Sequence, residues 1–300
     1  MATKQRSRQR RPNSSRDRGP RYVAPVLDPT WQNPYAPSPA ERTANLHAVA
    51  KLARRKNLIK TVLVGIIIVG LLAGFVVSPL IAIGAPIVAA LYLANFRRSV
   101  KKFSQSGSSL GNVLLDTFKA GGSPKDRQRL VTVLDRLAAT FGVDGISAFI
   151  VQDAGYNATL VPNGSSYALF VTSALMSDFE LIELEGVVAH CLARQRLALL
   201  QRQSVASLAS LSAEERTSLA GAGTSYRADE VAAAAIRYPL GLAGALRKCS
   251  RQVVPAGSFF LTPQYNDGRW VWFDIWSDRK DSNLSDLDDV ELRALALEEW

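Results

Sequence analysis

Histidine, cysteine and methionine are nearly absent from this 300-residue chain, which has 2 of each. The cysteines, Cys191 and Cys249, can lay down no disulfide framework and form no CxxC metal pair. That suits a reducing, cytosol-facing compartment better than an exported one. The histidines, His47 and His190, lie on opposite sides of a long apolar run, so no imidazole cluster can build a zinc site in the C-terminal part. Charge is missing altogether from Thr61 to Phe96.

The charges that are present lie unevenly. Residues 1–102 hold 18 Lys and Arg against 3 acids, and residues 103–300 hold 18 against 23, so the basic balance belongs to the N-terminal third. Residues 1–37 read as a disordered basic tail rich in Arg, Ser, Gln and Pro. Unpatterned Arg gives only sequence-independent phosphate affinity, so the tail is expected to be a solvated segment that helps fix membrane orientation, with contact to anionic lipid as the alternative and nucleic-acid binding behind both. Ser38-Pro39-Ala40-Glu41 has the order of a capping box and predicts a basic amphipathic helix over residues 38–57, lying at a lipid surface. As one helix, residues 61–96 would measure about 54 Å at 1.5 Å per residue, against roughly 30 Å of hydrocarbon. Ser78-Pro79 divides them into expected spans 61–77 and 80–96, a transmembrane hairpin with basic residues at both outer ends. The positive-inside rule then predicts an integral cell-membrane protein with both termini and the C-terminal domain in the cytoplasm.

Residues 97–123 read as a linker, and residues 124–300 as a domain of alternating elements. The periodicity predicts helices over Pro124–Phe141, 178–206, Ser212–Ile236, Leu240–Arg251 and Ser285–Trp300. It predicts strands at Ile146–Gln152, Asn157–Val161 and Tyr167–Thr172, with aromatic strand-like runs at Ser258–Leu261 and Trp270–Trp276.

Residues 183–196, ELEGVVAHCLARQR, have the frame of an HExxH zinc helix without its chemistry. Such a helix sets two His four residues apart with a general-base Glu between them. Here the positions are His190, Cys191 and Arg194, and Arg offers five donors and no lone pair for a cation. Asn157 to Arg194, NATLVPNGSSYALFVTSALMSDFELIELEGVVAHCLAR, resembles the passage of the HtpX-type and CAAX-protease-type membrane metallopeptidases in which an edge strand and its neighbour lead into the zinc helix. SYRADEVAAAAI, residues 225–236, is similar to that family's ExxAD helix, and VELRAL, residues 290–295, to its closing helix.

The resemblance implies an α+β fold, a membrane hairpin followed by a degenerate gluzincin-like domain with helices on a small antiparallel sheet. It maps the first His ligand to His190, the general base to Cys191, the second His to Arg194, the Glu ligand to Ser225 and an outer acid to Asp229. One ligand of the three survives, which implies no metal, no cofactor and no catalytic residue. Arg194 is expected to pair with Asp229 across the vacated seat. The chain is therefore expected to be a pseudopeptidase, a membrane-anchored binding, scaffold or regulatory protein, with a role in membrane stress response by analogy. A protein or peptide partner would add to the edge strand Asn157, Ala158, Thr159, Leu160 and Val161. The acids Asp286, Asp288, Asp289, Glu291, Glu298 and Glu299 offer a second surface. The alternatives are an active zinc peptidase with other ligands and a membrane-tethered nucleic-acid binder.

Overall fold

The computed structural model describes residues 35–74, 106–208, 211–236, 238–275 and 288–300, with single positions between 90 and 103. The basic tail and the Ser78-Pro79 break lie outside the described residues, apart from the tail's last positions from Tyr35 on. Helix α1 (Pro39–Gly74) starts where the capping order predicts, the Glu41 N–H donating to Ser38 Oγ at 3.0 Å. It runs unbroken past residue 57. Val49 and Ala53 on its first half are buried with Val205, Ala206, Leu219 and Trp270, so part of the face read as lipid-facing is a core face.

The membrane expectation is corrected by this helix. Its uncharged described part begins at Thr61 and ends at Gly74, roughly 21 Å at 1.5 Å per residue and shorter than a hydrocarbon core of about 30 Å. Among the described residues no helix is long and apolar enough to cross a membrane. The hairpin of spans 61–77 and 80–96, the integral-membrane partner and the localisation built on it are therefore set aside. Most of residues 80–96 lies outside the described residues.

The described residues from Tyr35 onward form one compact unit. Helix α2 (Leu110–Thr117) leads to α3 (Pro124–Phe141), whose ends the sequence marks. Ser123 and Asp126 close a reciprocal capping box, and Gly142 takes the left-handed conformation (φ 61°) that ends the helix. Strands β1 (Ile146–Val151), β2 (Ala158–Asn163) and β3 (Ser166–Thr172) make a sheet of order β1-β3-β2. The sheet is mixed rather than antiparallel: β2 and β3 form a hairpin through Gly164-Ser165, and β1 runs parallel to β3 on its other side.

Central β3 is covered on both faces. Leu169 and Val171 point into the main core with Ala158 and Leu160 of β2, whereas Ala168 and Phe170 point into a second, aromatic core with Phe260, Tyr265 and Trp272. That period-two split between two apolar layers is why the strand reads as a nearly continuous hydrophobic run.

Two predicted helices are each broken in two. After a short α4 (Ser173–Asp178), the stretch 178–206 becomes α5 (Leu181–Arg196) and α6 (Leu200–Leu208). Helix α5 ends with the Leu199 N–H on the Arg194 carbonyl and the Ala198 N–H on that of Gln195, the pattern of a Schellman stop. Ala198 fills the left-handed position (φ 59°) that glycine usually takes. The stretch 212–236 becomes α7 (Ala213–Ala220) and α8 (Thr224–Ile236), parted at Gly221 and Gly223, both at positive φ.

Helix α9 (Pro239–Arg251) crosses α5 so closely that a Cβ on Gly186 would lie 2.7 Å from the Leu242 Cα. The aromatic runs are not strands. Phe259–Leu261 and Arg269–Val271 are single 3-10 turns around α10 (Pro263–Gly268), and their rings gather in one cluster, Phe260 and Trp272 centroids 5.0 Å apart. Satisfying ring-to-ring packing in one place outweighs the strand preference of the individual residues. Helix α11 (Val290–Glu298) closes the described chain against α9 and α8.

Candidate functional site: a buried ion-pair network joining three helices

Helices α5 and α8 pack side by side and set His190 against Asp229. His190 Nδ1 lies 2.7 Å from Asp229 Oδ1. A carboxylate can only accept, so Nδ1 carries the proton and donates. The other face of Asp229 is taken by Arg293 from α11, with Nε at 2.6 Å from Oδ2 and Nη2 at 3.1 Å from Oδ1. Arg293 also donates from Nη1 to the Phe273 carbonyl at 3.2 Å and lies over the Phe273 ring. The network is sealed: His190 is 1%, Asp229 2% and Arg293 0% exposed. The cavity beside Asp229 and Arg293 measures about 10 Å³, room for at most about one water.

Each protonation state has a cause. Burial pulls His190 down to about 4, against the pull of Asp229 in the other direction, so the imidazole is neutral at physiological pH. Burial works against the Asp229 carboxylate, but Arg293 and then His190 outweigh it and hold it below the usual range. Burial likewise disfavours the Arg293 guanidinium, and Asp229 more than restores it. The network is one carboxylate shared by a guanidinium and a neutral imidazole, and the buried His190 Nε2 has no hydrogen-bond partner among the described residues.

The other residues that the family likeness singled out go elsewhere. Arg194 is 1% exposed and forms no ion pair with Asp229, contrary to the expected pairing. Its Nε donates to Gln203 Oε1 at 2.8 Å and its Nη1 to the Val271 carbonyl. Asp229 already holds two partners, and the α5 stop brings α6, with Gln203, next to the end of α5. Burial lowers Arg194 to about 10, so it stays charged at neutral pH and adds positive potential where a cation would sit. Cys191 is fully buried, and burial pushes its thiol up to about 11, which makes it an inert neutral group rather than a nucleophile. Ser225 donates its backbone N–H to Asp288 Oδ1 at 3.1 Å, which ties the start of α8 to the C-terminal segment. His47 is exposed on α1. Among the described residues no group of three or more His, Cys, Asp and Glu is arranged to hold a metal ion.

Strand β2 is at the sheet edge, and the chain's own segment lies along its start. The Phe273 N–H donates to the Ala158 carbonyl at 2.8 Å, Thr159 Oγ1 donates to the Val271 carbonyl, and Asn157 exchanges hydrogen bonds with the Asp274 backbone at 2.9 and 3.0 Å. Asn157, Ala158, Thr159, Leu160 and Val161 are all buried. The C-terminal acids are also engaged: Asp289 caps α11, and Glu291 and Glu298 pair with Arg247 at 3.2 and 2.6 Å. Asp286 lies outside the described residues.

Sequence reasoning missed Arg293. The signal was there: Val290, Ala294 and Leu297 share its helical face and are buried with it. An arginine in an apolar stripe requires a buried acid, and Asp229 has the same placement on α8. No family model matches the chain, and no curated protein matches it.

Proposed function

We propose that this chain is a catalytically inactive, peptidase-like protein that acts by binding rather than cleavage, as a regulatory or scaffold component with a protein or peptide partner. The observation that carries this reading is that the positions matching the second and third ligands are Arg194 and Ser225, and that the surviving His190 lies in a buried network with Asp229 and the cation Arg293. A water-activating zinc needs three protein ligands and an open fourth position. His190 supplies one ligand where three are needed, Arg194 and Arg293 near it are cations, and the imidazole is closed to solvent. Placing a divalent ion there would set like charges a few ångströms apart in a low dielectric, where repulsion is strongest.

Fluorescent casein tests both halves of the reading. Full-length protein is expected to raise the anisotropy of the labelled peptide without cutting it, with or without added zinc. Cleavage that stops on chelation and is lost in His190→Ala would overturn the proposal, and so would the absence of any peptide binding.

A further inference from the structure

A second region differs from the sealed seat in having an unsatisfied cation beside open space. A cavity of about 330 Å³ lies between the start of α1, the β2–β3 hairpin and the turn joining α5 to α6. Its volume is at the small end of pockets that bind organic ligands, about 300–1,000 Å³. Arg42 and Leu46, one turn apart on α1, form one wall, and Pro162 and Tyr167 of the hairpin form another. The hydroxyl-bearing Ser165 and Ser166 line the hairpin side, and among the described residues no acid lines the cavity.

The wall carrying Arg42 is fixed in place. Asn45 on α1 donates to the Leu197 carbonyl at 2.7 Å and accepts from Arg202, and Val49 and Ala53 are buried further along the helix. The neighbouring acid, Glu41, is turned to Arg227 at 3.1 Å, so it does not neutralise Arg42. Arg42 has no ion pair among the described residues, and its Nε is buried without a hydrogen-bond partner. Arg42 lines the cavity without a countercharge among the described residues, so a carboxylate entering the cavity meets an uncompensated guanidinium. Ala198, the left-handed non-glycine residue, also lines this cavity. Local strain of that kind collects at binding sites.

We propose that this cavity binds a small organic monocarboxylate, its carboxylate on the Arg42 guanidinium and its apolar body against Leu46, Pro162 and Tyr167. A planar guanidinium matches a carboxylate through two parallel N–H donors. The apolar walls favour a ligand with a hydrocarbon or aromatic body over a bare inorganic anion. This site is separate from the Asp229 network, and its failure would leave the pseudopeptidase reading untouched.

Calorimetric titration of the full chain with benzoate, phenylacetate, hexanoate and octanoate tests the proposal, with hexanamide and inorganic phosphate as counterparts. At least one carboxylate should bind saturably at one per chain, and hexanamide at least tenfold more weakly than hexanoate if hexanoate is that ligand. Arg42→Gln should weaken the carboxylate at least tenfold with an unchanged melting temperature, because Arg42 makes no ion pair in the fold. Leu46→Trp, at a position 53% exposed, should fill the mouth and weaken binding too. Saturable binding by none of the four acids, equal binding in Arg42→Gln, or binding of phosphate in their place would overturn it.

Discussion

Two arginines a few helices apart show what a guanidinium does in a protein interior. Arg293, wholly buried, has its donors directed at Asp229 and the Phe273 carbonyl, and the result is a closed seat that links α5, α8 and α11. Arg42, half-buried, has no carboxylate among the described residues and sits beside open space. The first arrangement is structural because every partner is internal. The second keeps its capacity to bind because the partner is missing. Burial alone does not separate a structural charge from a functional one; the fate of its hydrogen-bonding capacity does.

The sharpest way to break the comparison is to strip Asp229 of its cation. Arg293→Met should destabilise the protein by about 3–5 kcal/mol, the range for leaving one partner of a buried pair uncompensated. Asp229→Leu should cost a similar amount, and the double variant should cost well under the sum, because no uncompensated buried charge is then left. Urea denaturation of the three variants checks this; additive losses would mean that the two residues do not act as a pair.

A milder perturbation is acid. His190 has its folded pKa near 4, below the ordinary 6.5, so the unfolded chain takes up the proton first. The stability that depends on neutral His190 is fully present above pH 6.5 and is lost as pH falls towards 4, a change of up to roughly 3 kcal/mol. Asp229, held below its ordinary 3.8, adds its own loss only at still lower pH. Denaturation curves between pH 7 and 4 should show the fall, and His190→Gln should flatten it; a wild-type curve already flat there would mean that the imidazole is not buried neutral.

The smallest effect sharpens the other half of the comparison. Ala198→Gly should raise stability by about 0.5–1 kcal/mol, since glycine takes the left-handed position without the Cβ clash but gains unfolded-state entropy. A differential melting measurement with no gain, or a loss, would show that the alanine Cβ packs usefully against the cavity.

Much of this fold is legible from residue types. The limits of α3 follow from Ser123, Pro124, Asp126 and Gly142, and β3 follows from the alternation through Leu169, Phe170 and Val171. The helix breaks were legible only in part. Gly221 and Gly223 mark one, but the other falls at Leu197-Ala198-Leu199, where an alanine does the work of a glycine and periodicity gives no warning. Trp270 to Trp276 looks like a strand because aromatics favour sheets, whereas its described part leaves the sheet to satisfy one aromatic cluster and the start of β2. At the site, the sequence reading paired Asp229 with Arg194, whereas its partners are His190 and Arg293. That choice depends on where α11 docks, more than fifty residues further along the chain, and no local pattern encodes it.

Thermal denaturation of full-length protein in zinc against chelator tests the central claim most directly. If missing ligands and the cations Arg194 and Arg293 keep a metal from His190, millimolar zinc should leave the melting temperature within error of the chelated sample. A ligand that binds only the folded state at about 100 times its Kd adds roughly 2.7 kcal/mol of stability. A zinc-dependent rise of that order, lost in His190→Ala, would show that the seat holds a metal after all.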